Sequence, residues 1–245
     1  MARIIGFDLE TAKLLDIEAG LGGQLPMGIT CAVVHAKEDE TVVWKPPIGF
    51  SKPARLDRAL PKSRCIQMAE WLCEASFNGD VIATINGAGF DFRVLWGEIE
   101  GAFPVKPFAE MVMRHVDLGF TMLCQLGYMA GLNAMGNGMG LGGKMEGLGG
   151  VLAVEKWNTD IDTQREIIDY CARDAQLTGQ VARAVVEKKR IVWITKAGAA
   201  RDMPLEKLLT VEESLTLPLP DTSWMTAPRK REDYVGWLDA LGEVE

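Results

Sequence analysis

Short apolar runs alternate with longer stretches of helical spacing along the first 190 residues of the chain. Residues 2–8, "ARIIGFD", and residues 80–85, "DVIATI", have the length and apolarity of buried strands. The β-branched runs "ITCAVVHA" and "TVVWKP" are separated by the charged "KEDE", which predicts a hairpin. Two later runs, "HVDLGF" and "RIVWITK", also predict strands.

Helical spacing marks the segments between these runs. It occurs in "SRCIQMAEWLCEAS", "GFDFRVLWGEIEG", "TMLCQLGYMAG" and, over the longest stretch, residues 162–189. Thr163 or Asp162 is suited to cap the long helix, and the basic residues 188–190 suit its C-terminus. A strand-led order of strands and helices predicts an α/β fold, with a mixed sheet flanked by helices.

Two parts of the chain lack a clear period. Residues 127–150 are dense in glycine, which opposes a regular helix or strand, so they predict either a flexible surface loop or a mobile flap beside a site. We divide the chain into a domain over residues 1–197 and an irregular C-terminal extension over 198–245 that ends in a short amphipathic helix. Trp193, Trp224 and Trp237 either pack this extension onto the core or offer rings for bases to stack on.

Composition narrows the class of protein. The chain is 48% hydrophobic and 24% charged, as is usual for soluble globular proteins, and it contains no apolar run of membrane-spanning length and no signal-peptide pattern. Five scattered cysteines suggest neither a disulfide framework nor a thiolate zinc site, so we expect a cytoplasmic protein without a membrane partner. A net charge of −8 argues against a basic nucleic-acid clamp, but a bound divalent metal could neutralise an acidic site. With only His35 and His115, a multi-histidine zinc site is disfavoured.

The first strand carries a pair of carboxylates, Asp8 and Glu10. Residues i and i+2 of a strand point to the same side, so these two like charges need a cation between them. Oxygen ligands favour Mg²⁺ or Mn²⁺. The same spacing recurs at Asp16 and Glu18, but in a polar, glycine-flanked segment that we interpret as a chance copy.

Two further motifs contribute polar groups. "INGAGFDF" leads from a predicted strand through Asn86 into a helix whose first turn holds Asp91, a position that by itself could only complement the helix dipole. "YCARDAQLT" places Tyr170 and Asp174 one helical turn apart on the same face. This pair alone could be a buried phenol satisfied by a carboxylate, or half of a metal site.

Taken in order, "FDLET", "NGAGFD" and "YCARDAQLT" resemble the DEDDy branch of the DnaQ-like 3′–5′ exonucleases, which includes proofreading domains and the ribonuclease D type. The resemblance spans residues 4 to 180. It implies a ribonuclease H-like fold, in which three antiparallel strands are followed by parallel strands. It also implies that two Mg²⁺ or Mn²⁺ ions bind to Asp8, Glu10, Asp91 and Asp174, and that Tyr170 orients the attacking water.

The resemblance further implies a nucleic-acid substrate with a free 3′ end, expected to be single-stranded. DNA is slightly favoured over RNA, although the sequence does not separate the two. Candidate contacts to that substrate are Asn86, Phe90, Arg93, Lys144 and Arg173. Lys144 lies in a glycine-lysine segment similar to one that precedes the last helix in some relatives.

Asp117, in "HVDLG", matches a position that is often acidic in the family, and we expect it to lie behind the ligands or to cap a strand end. Two other functions remain open on the same fold: a structure-specific endonuclease and a non-catalytic nucleic-acid-binding module. The complete set of four carboxylates disfavours the second of these, and Tyr170 disfavours the first.

Overall fold

A computed structural model describes residues 2–36, 40–49, 55–144 and 149–241 of the chain. Its main sheet has five strands in the order β3-β2-β1-β4-β5. β1 pairs antiparallel with β2, and β2 with β3, whereas β4 runs parallel to β1 and β5 parallel to β4. The predicted mixed sheet is therefore confirmed. The strands are β1 Ile4–Thr11, β2 Ile29–His35, β3 Thr41–Trp44, β4 Val81–Thr84 and β5 Val116–Asp117.

Helices cover both faces of this sheet. They are α1 Lys62–Phe77, α2 Asp91–Ile99, α3 Val105–Arg114, α4 Leu118–Leu126, α5 Leu132–Met139, α6 Gly150–Lys156 and α7 Ile161–Lys188. One apolar core joins the sheet to α1, α2 and α3, and another joins β2 to α6 and α7. α3 was not among the predicted helices. None of the helices in the described ranges combines the length and hydropathy needed to cross a membrane.

The alternation of β1 decides where its polar residues point. Ile5, Phe7 and Leu9 are buried in the core that contains α1, α2 and α3. Since successive strand residues face opposite sides, Asp8 and Glu10 lie on the other face, which α7 covers. Because the apolar residues of β1 face one side of the sheet, the two carboxylates point to the other side, toward α7.

A glycine allows that helix to approach the strand closely. A Cβ at Gly6 would overlap the backbone carbonyl of Ala175 and the amide of Gly179, both in α7. The strand and the helix are therefore in direct backbone contact beside Asp8, which brings the middle of α7 within reach of the β1 carboxylates.

The long helix begins slightly before its predicted cap. Asp160 is the N-cap, and its side chain accepts hydrogen bonds from the amides of Asp162 and Thr163, so neither predicted cap residue is correct. The reason is local: only Asp160 has extended backbone geometry, which aims its carboxylate at the free amides of the first turn.

The glycine-dense segment 127–150 is more regular than predicted, because it contains the helix α5. Two of its glycines permit close packing rather than flexibility. A Cβ at Gly136 would overlap the carbonyl of Gly142, and one at Gly138 would overlap the backbone of Val192 and Trp193. Residues 145–148 of the predicted loop or flap lie outside the described residues.

The C-terminal part contains a second, two-stranded sheet. β6, Arg190–Ile194, pairs antiparallel with β7, Ala200–Pro204, so this hairpin crosses the predicted boundary between residues 197 and 198. Two short helices follow, α8 Val211–Leu215 and α9 Glu232–Val235. Residues 242–245 of the predicted extension lie outside the described residues.

One buried arginine fastens this C-terminal part to the rest. Arg231 donates to the carbonyl oxygens of Cys124, Leu215, Leu217 and Pro218. Its guanidinium is therefore engaged with the protein's own backbone rather than presented to a phosphate.

Candidate functional site

Four acidic residues from three separate segments of the chain come together beside β1. Glu10, Asp91 and Asp174 are 8%, 6% and 1% exposed, and Asp8 is half-buried with its Oδ2 fully enclosed. Acidic side chains are almost never buried without partners. Their burial together is therefore the feature of this molecule that most needs a chemical explanation.

The carboxylates of β1 interact with that of α7. Burial, together with the charge of Asp174, raises the pKa of Asp8 to about 7. Burial and then the charge of Asp8 raise the pKa of Glu10 well above its usual range. Both shifts mean that the protein alone does not fully compensate the negative charge gathered there.

Asp91 joins the cluster from the start of α2. Burial is the main cause that raises its pKa, followed by the charges of Asp8 and Asp117. Its carboxylate also accepts backbone hydrogen bonds from its own amide and from that of Leu9, which lies between the two β1 carboxylates. β1 and β4 are parallel neighbours, so the loop that leaves β4 begins at the same edge of the sheet as the end of β1.

A lysine ammonium enters the cluster from the glycine-rich segment. Lys144 Nζ forms an ion pair with Asp174 Oδ2 and donates to the Tyr170 hydroxyl at 3.1 Å. Burial by itself lowers the pKa of Lys144, but the carboxylates of Asp174 and Asp8 outweigh it and raise the pKa. Lys144 is therefore charged, and it supplies the one positive charge that acts on Asp8 and Glu10 among their described neighbours.

Tyr170 lies one turn before Asp174, as the sequence predicts, and it is 3% exposed. The pKa of the Tyr170 phenol is raised, mainly by burial, and the phenol is therefore neutral. A neutral phenol can donate one hydrogen bond and accept others, but it does not act as a base at ordinary pH.

Two carboxylate oxygens of the cluster have no partner among the described residues. Asp8 Oδ2 and Asp174 Oδ1 are both buried, and neither accepts a hydrogen bond. An unpaired buried carboxylate oxygen is costly, so each is a site where a cation could be accommodated. Lys144 lies among these carboxylates. Within the described ranges, no three acidic, histidine or cysteine side chains are arranged closely enough to form a ready-made metal site. The oxygen-only donor set and the unpaired oxygens nevertheless fit a hard divalent cation.

Asp117 holds the turn that delivers Asp91. Its carboxylate accepts from the amides of Asn86 at 2.8 Å, Ala88 at 3.0 Å and Phe120 at 2.9 Å. Asn86 has a left-handed backbone with φ of 72°, which side chains seldom adopt. Asn86 is thus part of a tight turn, and Asp117 lies behind the cluster, capping α4 with the same carboxylate.

Of the other predicted substrate contacts, some lie beside the carboxylates and some do not. Phe90 lines a cavity of about 380 Å³ together with Glu10. Arg173 donates to Gln176 at 2.7 Å, on the same helix. Arg93 is half-buried, and burial lowers its pKa. The structure therefore brings Phe90 and Lys144 to the carboxylates, but it gives Arg93 and Arg173 no contact with them.

The cavity beside Glu10 has walls that sequence reasoning did not single out. Leu14, Leu15 and Val151 line it, and these apolar side chains are 46%, 40% and 59% exposed. Part of the signal is present in "TAKLLDIEAG", where Leu14, Leu15 and Ile17 stand among charged residues. A larger cavity of about 570 Å³, bordered by Lys45, Ile48 and Arg165 among others, contains none of the clustered carboxylates.

Comparisons with known proteins give no family. No protein-family model matches the chain, and no curated protein matches it. The chain is similar to the structure of the family B DNA polymerase from the hyperthermophilic archaeon Pyrobaculum calidifontis, with a TM-score of 0.49 and 18% identity. The similarity covers 77% of this chain but 24% of that chain. A similarity of this size assigns no activity to the chain.

Proposed function

We propose that this chain has a ribonuclease H-like fold and is a metal-dependent 3′–5′ exonuclease, which hydrolyses phosphodiester bonds from the 3′ end of a nucleic acid. The observation that carries the proposal is the buried cluster of Asp8, Glu10, Asp91 and Asp174, in which two carboxylate oxygens have no partner among the described residues. A buried carboxylate with a purely structural role is expected to have both oxygens paired, since pairing is what makes a buried charge tolerable. The ordered motifs of the sequence support the same activity.

These four residues would hold the metal, as Mg²⁺ or Mn²⁺. When bound, divalent cations supply the Lewis acidity that activates water and stabilises the departing 3′ oxygen during in-line attack on phosphorus. The burial of the carboxylates serves this role because, without the cation, the cluster is not electrically balanced. The cluster therefore favours a divalent cation over water.

Tyr170 would position the attacking water through its hydroxyl. Its raised pKa keeps the proton on the phenol, so the hydroxyl can hold a water by a hydrogen bond without removing its proton. Lys144 lies at hydrogen-bond distance from this hydroxyl, and its ammonium could turn to a phosphate oxygen of the substrate. Both groups would then orient the scissile phosphate.

The cavity beside Glu10 would receive the terminal nucleotide. Phe90 and the apolar side chains of its walls offer surfaces against which a base can stack, and stacking tolerates any base. A polar cluster next to an apolar cavity thus suits a substrate with a reactive phosphate and a flat base. The net charge of −8 agrees with binding to a strand end rather than to a long duplex.

A comparison of labelled strands with free and blocked 3′ ends tests this function. We expect Mn²⁺ or Mg²⁺ to support stepwise shortening of the free strand alone. Asp174→Asn should reduce the rate by at least about 100-fold, because replacing groups behind the ligands already costs 10- to 100-fold. Glu18→Gln, in the exposed second copy of the D-x-E pattern, is the matched control and should retain the activity.

Other outcomes of this assay identify the alternatives. Internal cuts in both strands would assign an endonuclease and reject the exonuclease. Binding of the strands without cleavage, at any concentration of either metal, would assign a non-catalytic module. Parallel digestion of single-stranded DNA, duplex DNA and RNA then decides which substrate is preferred.

A further inference from the structure

The C-terminal segment reaches the turn that delivers Asp91. Trp237 Nε1 donates to the carbonyl oxygen of Ala88 at 2.9 Å, across 149 positions of sequence, and shares this donor with the carbonyl oxygen of Tyr234 at 3.0 Å. The ring of Tyr234 packs on Gly89, where a Cβ would overlap it. These two side chains therefore contact the middle of the β4–α2 turn.

The same turn is held from within by Asp117. The amide of Ala88 donates to Asp117 Oδ2, and its carbonyl accepts from Trp237, so both polar groups of this residue are fixed by distant side chains. The amide of Asn86 donates to Asp117 Oδ1. A strained turn of this kind keeps its shape only when its surroundings determine it.

The segment that carries Trp237 is itself anchored. Arg231 donates to four backbone carbonyl oxygens around α4 and α8, and Arg229 donates to the Tyr234 hydroxyl at 2.8 Å. Tyr234 is 7% exposed and packs with Phe120 of α4. The segment that carries Trp237 is therefore held in place by these hydrogen bonds where it contacts Ala88.

We propose that Trp237, supported by Tyr234, is a positioning residue that holds the β4–α2 turn and thereby places the Asp91 carboxylate for metal binding. This inference rests on the proposed function. It assigns a role to the C-terminal segment that the motifs of the sequence do not contain: the segment completes the scaffold of the site instead of binding the substrate.

The decisive variant is Trp237→Phe, which keeps a ring but removes the N–H donor. We expect Mn²⁺ affinity, measured by calorimetry, to fall about 10-fold, as is usual when a group that orients a ligand is lost. Amides of residues 86–92 should exchange with solvent about 10-fold faster, because the turn opens more often. Turnover should recover at raised Mn²⁺ with an unchanged KM for the strand, which a general loss of stability would not produce.

Trp224→Phe is the matched control, since Trp224 is 68% exposed, its Nε1–H donates to the nearby carbonyl oxygen of Asp221, and its ring meets that of Tyr128 edge-on. It should change none of these values. Tyr234→Leu is a second variant that reaches the turn through a different side chain, and it should shift Mn²⁺ affinity in the same direction. Thermal melts of each metal-free variant verify that it is folded.

The outcomes separate the two proposals. Wild-type affinity and wild-type exchange in Trp237→Phe would overturn the positioning role, while leaving the nuclease assignment intact. Absence of Mn²⁺ binding in the wild type would overturn the nuclease assignment. In that case unchanged exchange at residues 86–92 in Trp237→Phe would also reject the contact as a determinant of the turn.

Discussion

At the scale of single residues, Asp8 shows how burial beside a like charge raises the free energy of an ionised carboxyl group. It shares its surroundings with Asp174, and its Oδ2 has no partner in the part of the chain that the structure describes. Lys144 offsets part of the negative charge, but not enough to prevent the raised pKa values of Asp8 and Glu10. The residue-scale predictions follow from this imbalance.

The first prediction concerns pH. The pKa of Asp8 is raised from 3.8 to about 7, so the folded state holds its proton more tightly than the unfolded state does. The stabilising contribution is therefore complete below pH 3.8 and is lost as pH rises toward 7. With a chelator present, the melting temperature of the wild type should fall between pH 5 and pH 8, and that of Asp8→Asn should fall less. Equal slopes for the two proteins would contradict the assignment.

The second prediction concerns Lys144. Removing its charge in Lys144→Met leaves the carboxylates without their ammonium partner, so the metal-free protein should melt at a lower temperature. A divalent cation no longer competes with an ammonium, and Mn²⁺ should bind several-fold more tightly in a calorimetric titration. Weaker Mn²⁺ binding in this variant would show that Lys144 does not occupy space that the cation needs. Lys188→Met, on the far end of α7, serves as the control for loss of a lysine.

The third prediction concerns Tyr170. Because the phenol is a positioner and not a base, Tyr170→Phe should retain part of the activity, about 10- to 100-fold below the wild type. Its Mn²⁺ affinity should remain close to that of the wild type, since the hydroxyl is not a proposed ligand. Complete loss of turnover with normal metal binding would instead assign the phenol a direct chemical role.

At the scale of elements, the site depends on how closely α7 approaches β1. Gly6→Ala would force the helix away from the strand, because the new Cβ would overlap the Ala175 carbonyl. Overpacking of this kind costs about 1–3 kcal/mol, which corresponds to a fall of roughly 2–12 °C in melting temperature for a chain of this size. Gly23→Ala meets no atom within 4 Å and should be nearly neutral. Equal melting temperatures for the two variants would contradict the close backbone contact.

The elements also show what the sequence can and cannot predict. β1, the β2–β3 hairpin and the long helix follow from their apolar periods, which reflect burial on one or both faces. Local sequence does not predict α5, because glycine opposes a helix, whereas here the glycines make room for Leu177 and Val192. Such close packing depends on a partner that is distant in sequence, and local propensity cannot reveal it.

The candidate site divides in the same way. Asp8, Glu10, Asp91, Tyr170 and Asp174 could be named from their motifs, and the fold brings them together. Lys144 was named for phosphate, yet its contacts are with Tyr170 and Asp174. The apolar walls at Leu14 and Val151, and the hydrogen bond from Trp237, could not be inferred, since they depend on contacts between segments whose own patterns carry no chemistry.

At the scale of the whole molecule, each large part contributes one component of the site. The sheet presents two carboxylates, the β4–α2 turn and α7 each add one, the glycine-rich segment adds an ammonium, and the C-terminal segment fixes the turn. The central claim is that these acidic groups together form a binding site for divalent cations.

A titration of Mn²⁺ into the metal-free protein, followed by calorimetry, tests this claim most directly. We predict saturable binding to the wild type and to Glu18→Gln, and binding at least about 100-fold weaker in Glu10→Gln, whose carboxylate belongs to the cluster. Absence of saturable binding in the wild type, or equal affinity in Glu10→Gln and Glu18→Gln, would contradict it.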